Sequence, residues 1–158
     1  MSEKKIVVGI DGSDESNAAL RFALEEARLR GATVEAVHAW GYPPTAFGPG
    51  FIAAIDAELI ETLHKAAADV IDRALEEAGD VGDMEVAHAT PEGPAAPALL
   101  EAARDAELLV VGSRGRGGFT GLLLGSVSQQ CAHHAPCPVV IVRGPDAATR
   151  PAPPKESR

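Results

Sequence analysis

Short apolar runs rich in β-branched residues alternate with longer stretches of helical spacing along this chain, and that alternation is its strongest constraint on fold. Lys5–Ile10, Thr33–Ala39, Met84–Ala89, Glu107–Val111 and Pro138–Val142 read as strands. Ser16 to Arg30, Phe51 to Ala78, Pro94 to Ala106 and Gly125 to Ala135 read as the helices between them. The first, fourth and fifth strand runs are continuously apolar, as strands covered on both faces must be. The expectation is an α/β chain: a single doubly wound domain on a five-stranded parallel sheet.

Local signals support these segments. Asp11-Gly12-Ser13-Asp14 has turn and helix-capping chemistry. Ala19, Leu20, Ala23, Leu24 and Ala27 then repeat at helical spacing, and Gly31 follows Arg28 and Arg30 as a stop. Trp40–Gly50 is a loop with three prolines and three glycines. Ile52, Ile55, Leu59, Leu63, Ala66, Val70 and Ala74 mark one face of the second helix. Residues 1–143 are expected to form the domain. The proline-rich, charged residues 144–158 are expected to be a flexible tail.

Composition narrows the function. The 158 residues carry a net charge of −9, which disfavours nonspecific binding to nucleic acid or an anionic membrane. Aromatic residues make up 4%, too few for a base-stacking surface. No apolar run approaches membrane-spanning length, and the apolar stretch before Asp11 is too short for a secretory signal. Two cysteines, Cys131 and Cys137, do not make a disulfide framework, so a reducing cytoplasm is the expected compartment.

Two polar loops leave the carboxyl ends of strongly apolar strands, Asp11–Ser13 and Gly112–Gly121. In doubly wound sheets ligands bind at such ends, so the loops border one crevice if the first and fourth strands are neighbours. Glycines 112, 115, 117, 118 and 121 allow main-chain N–H groups to approach a ligand closely. Ser126 then opens a helix, whose free N–H groups and dipole favour an anion. Arg114 and Arg116 add positive charge to an acidic chain. These features suggest a phosphate site.

The common phosphate motifs are absent. There is no G-x4-G-K-(S/T), and the G-x-G opened by Gly115 and Gly117 reaches Thr120 where a third glycine would be needed. Asp11 also fits plain turn and helix capping, and the glycine stretch also fits a plain connection. Cys131, His133, His134 and Cys137 cluster in sequence without any usual zinc spacing. His38 and His88 fall within strands, as structural residues do. Ser13 lies in no nucleophile elbow, so no catalytic residue is assigned.

The spacing that is present is Gly112-x2-Gly115-x9-Gly125-Ser126. With VVGIDGSDES at the first strand, VHAW at the end of the second and HAPCPVVIV at the last, it resembles the ATP-binding branch of the universal stress protein family. The resemblance covers residues 5–143. It implies a Rossmann-like universal stress protein fold with strand order 3-2-1-4-5, which makes the first and fourth strands neighbours. It implies that Asp11 lies by ribose and phosphates, with Gly9 and Ile10 beside it, and that Ala39 lies against adenine. Ala39 is smaller than the family's usual valine. Gly112, Ser113, Arg114, Gly115, Arg116, Gly117 and Gly118 would wrap ribose and phosphates. Gly125, Ser126 and Val127 would hold phosphates at the helix start.

The function this resemblance implies is an ATP-binding, nucleotide-dependent regulatory protein of the stress response. Its cofactor would be ATP with Mg2+ on the phosphates and Asp11 as a candidate ligand, and it would act on a regulatory protein partner. A slow ATPase and a cyclic-AMP-binding member of the family are the alternatives. Pro138–Val142 is an apolar run expected at a sheet edge, where pairing with a second copy would form a homodimer, as the resemblance also implies.

Overall fold

The computed structural model describes residues 3–42, 56–115 and 124–144. Five strands, β1 (Lys5–Gly9), β2 (Thr33–Val37), β3 (Val86–Ala89), β4 (Leu108–Gly112) and β5 (Val139–Val142), form one parallel sheet in the order β3-β2-β1-β4-β5. Helices α1 (Asp14–Arg30), α2 (Ala57–Ala78), α3 (Ala95–Ala102) and α4 (Ser126–His134) alternate with them. A short 3-10 turn, Ala103–Asp105, follows α3.

The period-two alternation of the strands builds a core on each face. Ile6 and Val8 of β1, Val34 and Ala36 of β2, and Leu108 and Val110 of β4 face α1 and α2. They pack there with Leu20, Leu24, Ile71 and Ala74. Val7, Val37, Leu109 and Val111 face the other way, against Leu99, Ala103 and Cys131 of the α3–α4 layer. The first three apolar residues of β1 and all of Leu108–Val111 are buried, as the continuous runs predict, whereas Val139–Val142 of β5, expected to be covered in the same way, are only half-buried because β5 lies at the sheet edge.

Several boundaries differ from expectation for local reasons. Helix α1 starts at Asp14 rather than Ser16, because the Ser13 hydroxyl caps it by accepting the Ser16 N–H at 3.1 Å. It ends on Gly31 at φ +64°, a left-handed position that suits glycine. Helix α2 starts at Ala57 rather than Phe51: Asp56 has extended backbone, and its carboxylate caps the helix by accepting the Leu59 N–H at 2.9 Å. Residues 51–55 lie outside the described residues.

Strand β3 starts at Val86 rather than Met84, whose N–H turns back to the Val81 carbonyl. Strand β2 ends at Val37 rather than Ala39, and β5 begins after Pro138, which has no N–H to donate. Of the tail expected over residues 144–158, only Gly144 is among the described residues. Among the described residues no helix is long and apolar enough to cross a membrane.

Candidate functional site

The pairing of β1 with β4 brings the two polar loops side by side at the carboxyl end of the sheet. Beyond β1 the chain turns at once. The Asp11 carboxylate accepts the Ser13 N–H at 2.9 Å through Oδ1, and the Asp11 N–H donates to the Ser16 hydroxyl at 3.3 Å. Gly12 sits at φ +81°, which the turn requires. Asp11 thus serves the turn through one oxygen. Its other oxygen, Oδ2, faces Gly115, where an added Cβ would lie 2.5 Å from it.

The β4 loop leaves the sheet through a locked corner. The Ser113 N–H donates to Val142 at 2.8 Å, and its carbonyl accepts from the Gly125 N–H at 2.7 Å and the Ser128 hydroxyl at 2.9 Å. These bonds clamp the two ends of the glycine segment together and set the direction of α4. Gly125 caps α4 with extended backbone and no side-chain bond. The Gln129 N–H is bonded to the Gly125 carbonyl at 3.0 Å. The N–H groups of Ser126, Val127 and Ser128 precede that bond, at the positive end of the helix dipole.

A cavity of about 430 Å3 opens between these loops. Gly9, Ile10, Asp11 and Ala39 line it on the β1–β2 side. Gly112, Arg114, Gly115, Gly125, Ser126 and Val127 line it on the β4 side. Ten of the expected site residues therefore meet around one space. Ser113 does not line it: the residue is fully buried, and its hydroxyl donates to Glu15 at 2.8 Å. Arg116, Gly117 and Gly118 lie outside the described residues.

Sequence reasoning missed Ser16, Val37, His38, Ala95, Leu99, Val111 and Ser128, which also line the cavity. His38 sits beside Ala39, and its Nδ1 lies 2.7 Å from the Ile10 carbonyl. A carbonyl only accepts, so Nδ1 carries the proton in this contact. Leu99 comes from α3 and packs over Gly9, where a Cβ would meet its methyl carbon at 3.1 Å. Val37 and His38 could have been found as neighbours of Ala39 on the same strand run. Leu99 had no local signal.

The cysteine–histidine cluster forms no metal centre: among the described residues no group of three or more His, Cys, Asp or Glu could hold a metal ion. Burial pushes the Cys131 thiol up to about 11, with nearby Cys137 adding to the effect. His88 faces Asp72 at 3.6 Å on the β3 edge, away from the cavity lining.

A model of the universal stress protein family matches residues 3–143. The chain belongs to the universal stress protein family. A universal stress protein of Mycolicibacterium smegmatis is 38% identical over 142 residues, which is 90% of this chain and 46% of that protein. The chain thus spans about half the length of such curated relatives. UspA from Lactobacillus plantarum shares the fold at 20% identity and a TM-score of 0.74, covering 90% of this chain and 100% of its own. A universal stress protein solved in complex with cAMP is 27% identical, with a TM-score of 0.63 over 90% of this chain and 98% of its own.

Proposed function

We propose that this universal stress protein binds ATP in the crevice between β1 and β4 and acts as a nucleotide-dependent regulatory protein in the stress response. The observation that carries this reading is the meeting of Asp11, Gly115 and the start of α4 around one cavity of about 430 Å3. That volume falls in the range of small-molecule sites, about 300–1,000 Å3. The fit is specific at Gly115, where a side chain would strike Asp11. Phosphates would lie on the N–H groups of Gly115, Ser126 and Val127. Adenine would lie on the apolar side formed by Val37 and Ala39, and ribose by Asp11.

Asp11 is the one carboxylate among the described lining residues. Mg2+ would therefore ride on the phosphates, with Asp11 as the protein group able to reach it. The same carboxylate is the candidate base for a slow ATPase, but its Oδ1 already accepts the Ser13 N–H. This favours binding over turnover. Cyclic AMP is the second reading, supported by the relative solved with that ligand.

Native mass spectrometry of protein purified without added nucleotide tests the ligand. Retained ATP supports the first reading and retained cyclic AMP the second, while protein that takes up neither when each is added refutes both. Single-turnover and multiple-turnover phosphate release then separate a regulator from an ATPase. Stoichiometric binding without turnover is expected.

The dimer reading rests on β5, an edge strand whose four apolar residues are all only half-buried. Pairing it with a second copy would cover Pro138–Val142 and close the edge. The two free thiols suit a cytoplasmic location. A regulatory partner would read the occupied state at the loops around the crevice.

A further inference from the structure

Glu15 is the second residue of α1, and the nucleotide reading gives it no task. Its carboxylate is nevertheless drawn in against Ser113 and Arg114, with only 14% of the side chain exposed. Glu15 Oε2 accepts both the Ser113 hydroxyl at 2.8 Å and the main-chain N–H of Arg114. Its Oε1 lies 3.6 Å from Arg114 Nε. Donors from two successive residues thus converge on an acceptor-only group.

The surrounding chain is cut away to admit it. A Cβ on Gly112, at the end of β4, would stand 3.0 Å from the Glu15 carbonyl carbon and 3.1 Å from its Cβ. A Cβ on Gly144, just past β5, would stand 2.6 Å from Glu15 Cγ. The side chain therefore threads between the ends of two strands to reach the corner from which the glycine segment departs. The Arg114 N–H is taken by this carboxylate, and the Arg114 guanidinium is held beside it at the cavity wall.

We propose that Glu15 is a positioning residue for phosphate: it anchors the Ser113–Arg114 corner from beneath and orients Arg114, so that Gly115 meets the phosphates in a fixed place. This rests on the nucleotide reading above. The two oxygens divide the work. Oε2 anchors the main chain, and Oε1 orients the guanidinium. An amide in place of the carboxylate keeps an acceptor at the Oε2 position, while its NH2 replaces the oxygen that faces the guanidinium, so the main-chain anchor stays and the ion pair is lost.

Calorimetric titration with two probes, ATP and adenosine, tests the proposal. Glu15→Ala should weaken ATP about tenfold or more while leaving adenosine within about twofold, because adenosine has no phosphate to position. Glu15→Gln should recover ATP binding to within about threefold of wild type. Gly144→Ala reaches the same carboxylate from β5 without removing it, and should weaken ATP selectively as well. The adenosine arm also reports that each variant is folded. Equal ATP affinity in wild type and Glu15→Ala overturns the inference alone. So does an equal loss of ATP and adenosine, or a glutamine variant no better than alanine. A wild type that binds neither probe overturns the nucleotide reading and this inference with it.

Discussion

Gly115 is where the identity of one residue decides what the crevice can hold. An alanine there would put its Cβ 2.5 Å from Asp11 Oδ2, so either the carboxylate or the loop must move. Gly115→Ala is expected to lower ATP affinity by at least about tenfold, a loss of about 1.4 kcal/mol measured by calorimetry, with the thermal midpoint of the ligand-free protein nearly unchanged. That Gly112, Gly115, Gly125 and Ser126 would line one crevice was legible because bare backbone at fixed spacing is a sequence pattern. Leu99 and Glu15 were not. Each is an ordinary helix residue until the fold sets it against Gly9 or Ser113, and only tertiary contact gives it meaning.

Cys131 makes a prediction of the opposite kind. Burial among Val7, Leu109 and their neighbours raises its thiol from 9.0 to about 11. The folded chain therefore keeps this proton where the unfolded chain releases it. The stability it contributes is fully present below pH 9 and is lost as pH rises toward about 11. Urea midpoints measured from pH 8 to 11 should fall more steeply for wild type than for Cys131→Ala. Parallel curves would show that the thiol is not held neutral.

Helix α1 joins the fold to the site: Ser13 caps it, Glu15 in its first turn holds Ser113 and Arg114, and Ser16 lines the crevice. Ser13→Ala removes the cap on the Ser16 N–H and should cost about 1 kcal/mol in chemical denaturation. The apolar repeat of α1 was plain in sequence, and so were β1 and β4, whose runs are buried on both faces. Helix α2 shows how such reading fails. Phe51, Ile52 and Ile55 continue the apolar repeat, but the Asp56 carboxylate caps the backbone and the helix begins after it. Side-chain competition for main-chain N–H groups, not periodicity, set that boundary.

For the molecule as a whole, alternation alone indicated a parallel α/β sheet, while the strand order came from the family resemblance. Short apolar runs carry no label for their neighbours, so residues alone could not have placed β1 beside β4. That adjacency is what joins Asp11 to Gly115 in one crevice. The β5 edge, next to β4, raises the question of assembly. If β5 pairs with a second copy, sedimentation at micromolar concentration should give a dimer, and a lysine in place of Val140 should yield monomer. A wild-type monomer would remove that part of the account.

The central claim is that the crevice binds ATP through its phosphates, and titrating ATP with Mg2+ into the wild-type protein in a calorimeter tests it most directly. Saturable heat at one ATP per chain is predicted, with affinity at least about tenfold weaker in Gly115→Ala, and with the wild-type protein stabilised by about 2.7 kcal/mol when ATP stands at a hundred times its Kd. Titration to millimolar ATP with no saturable heat would contradict it.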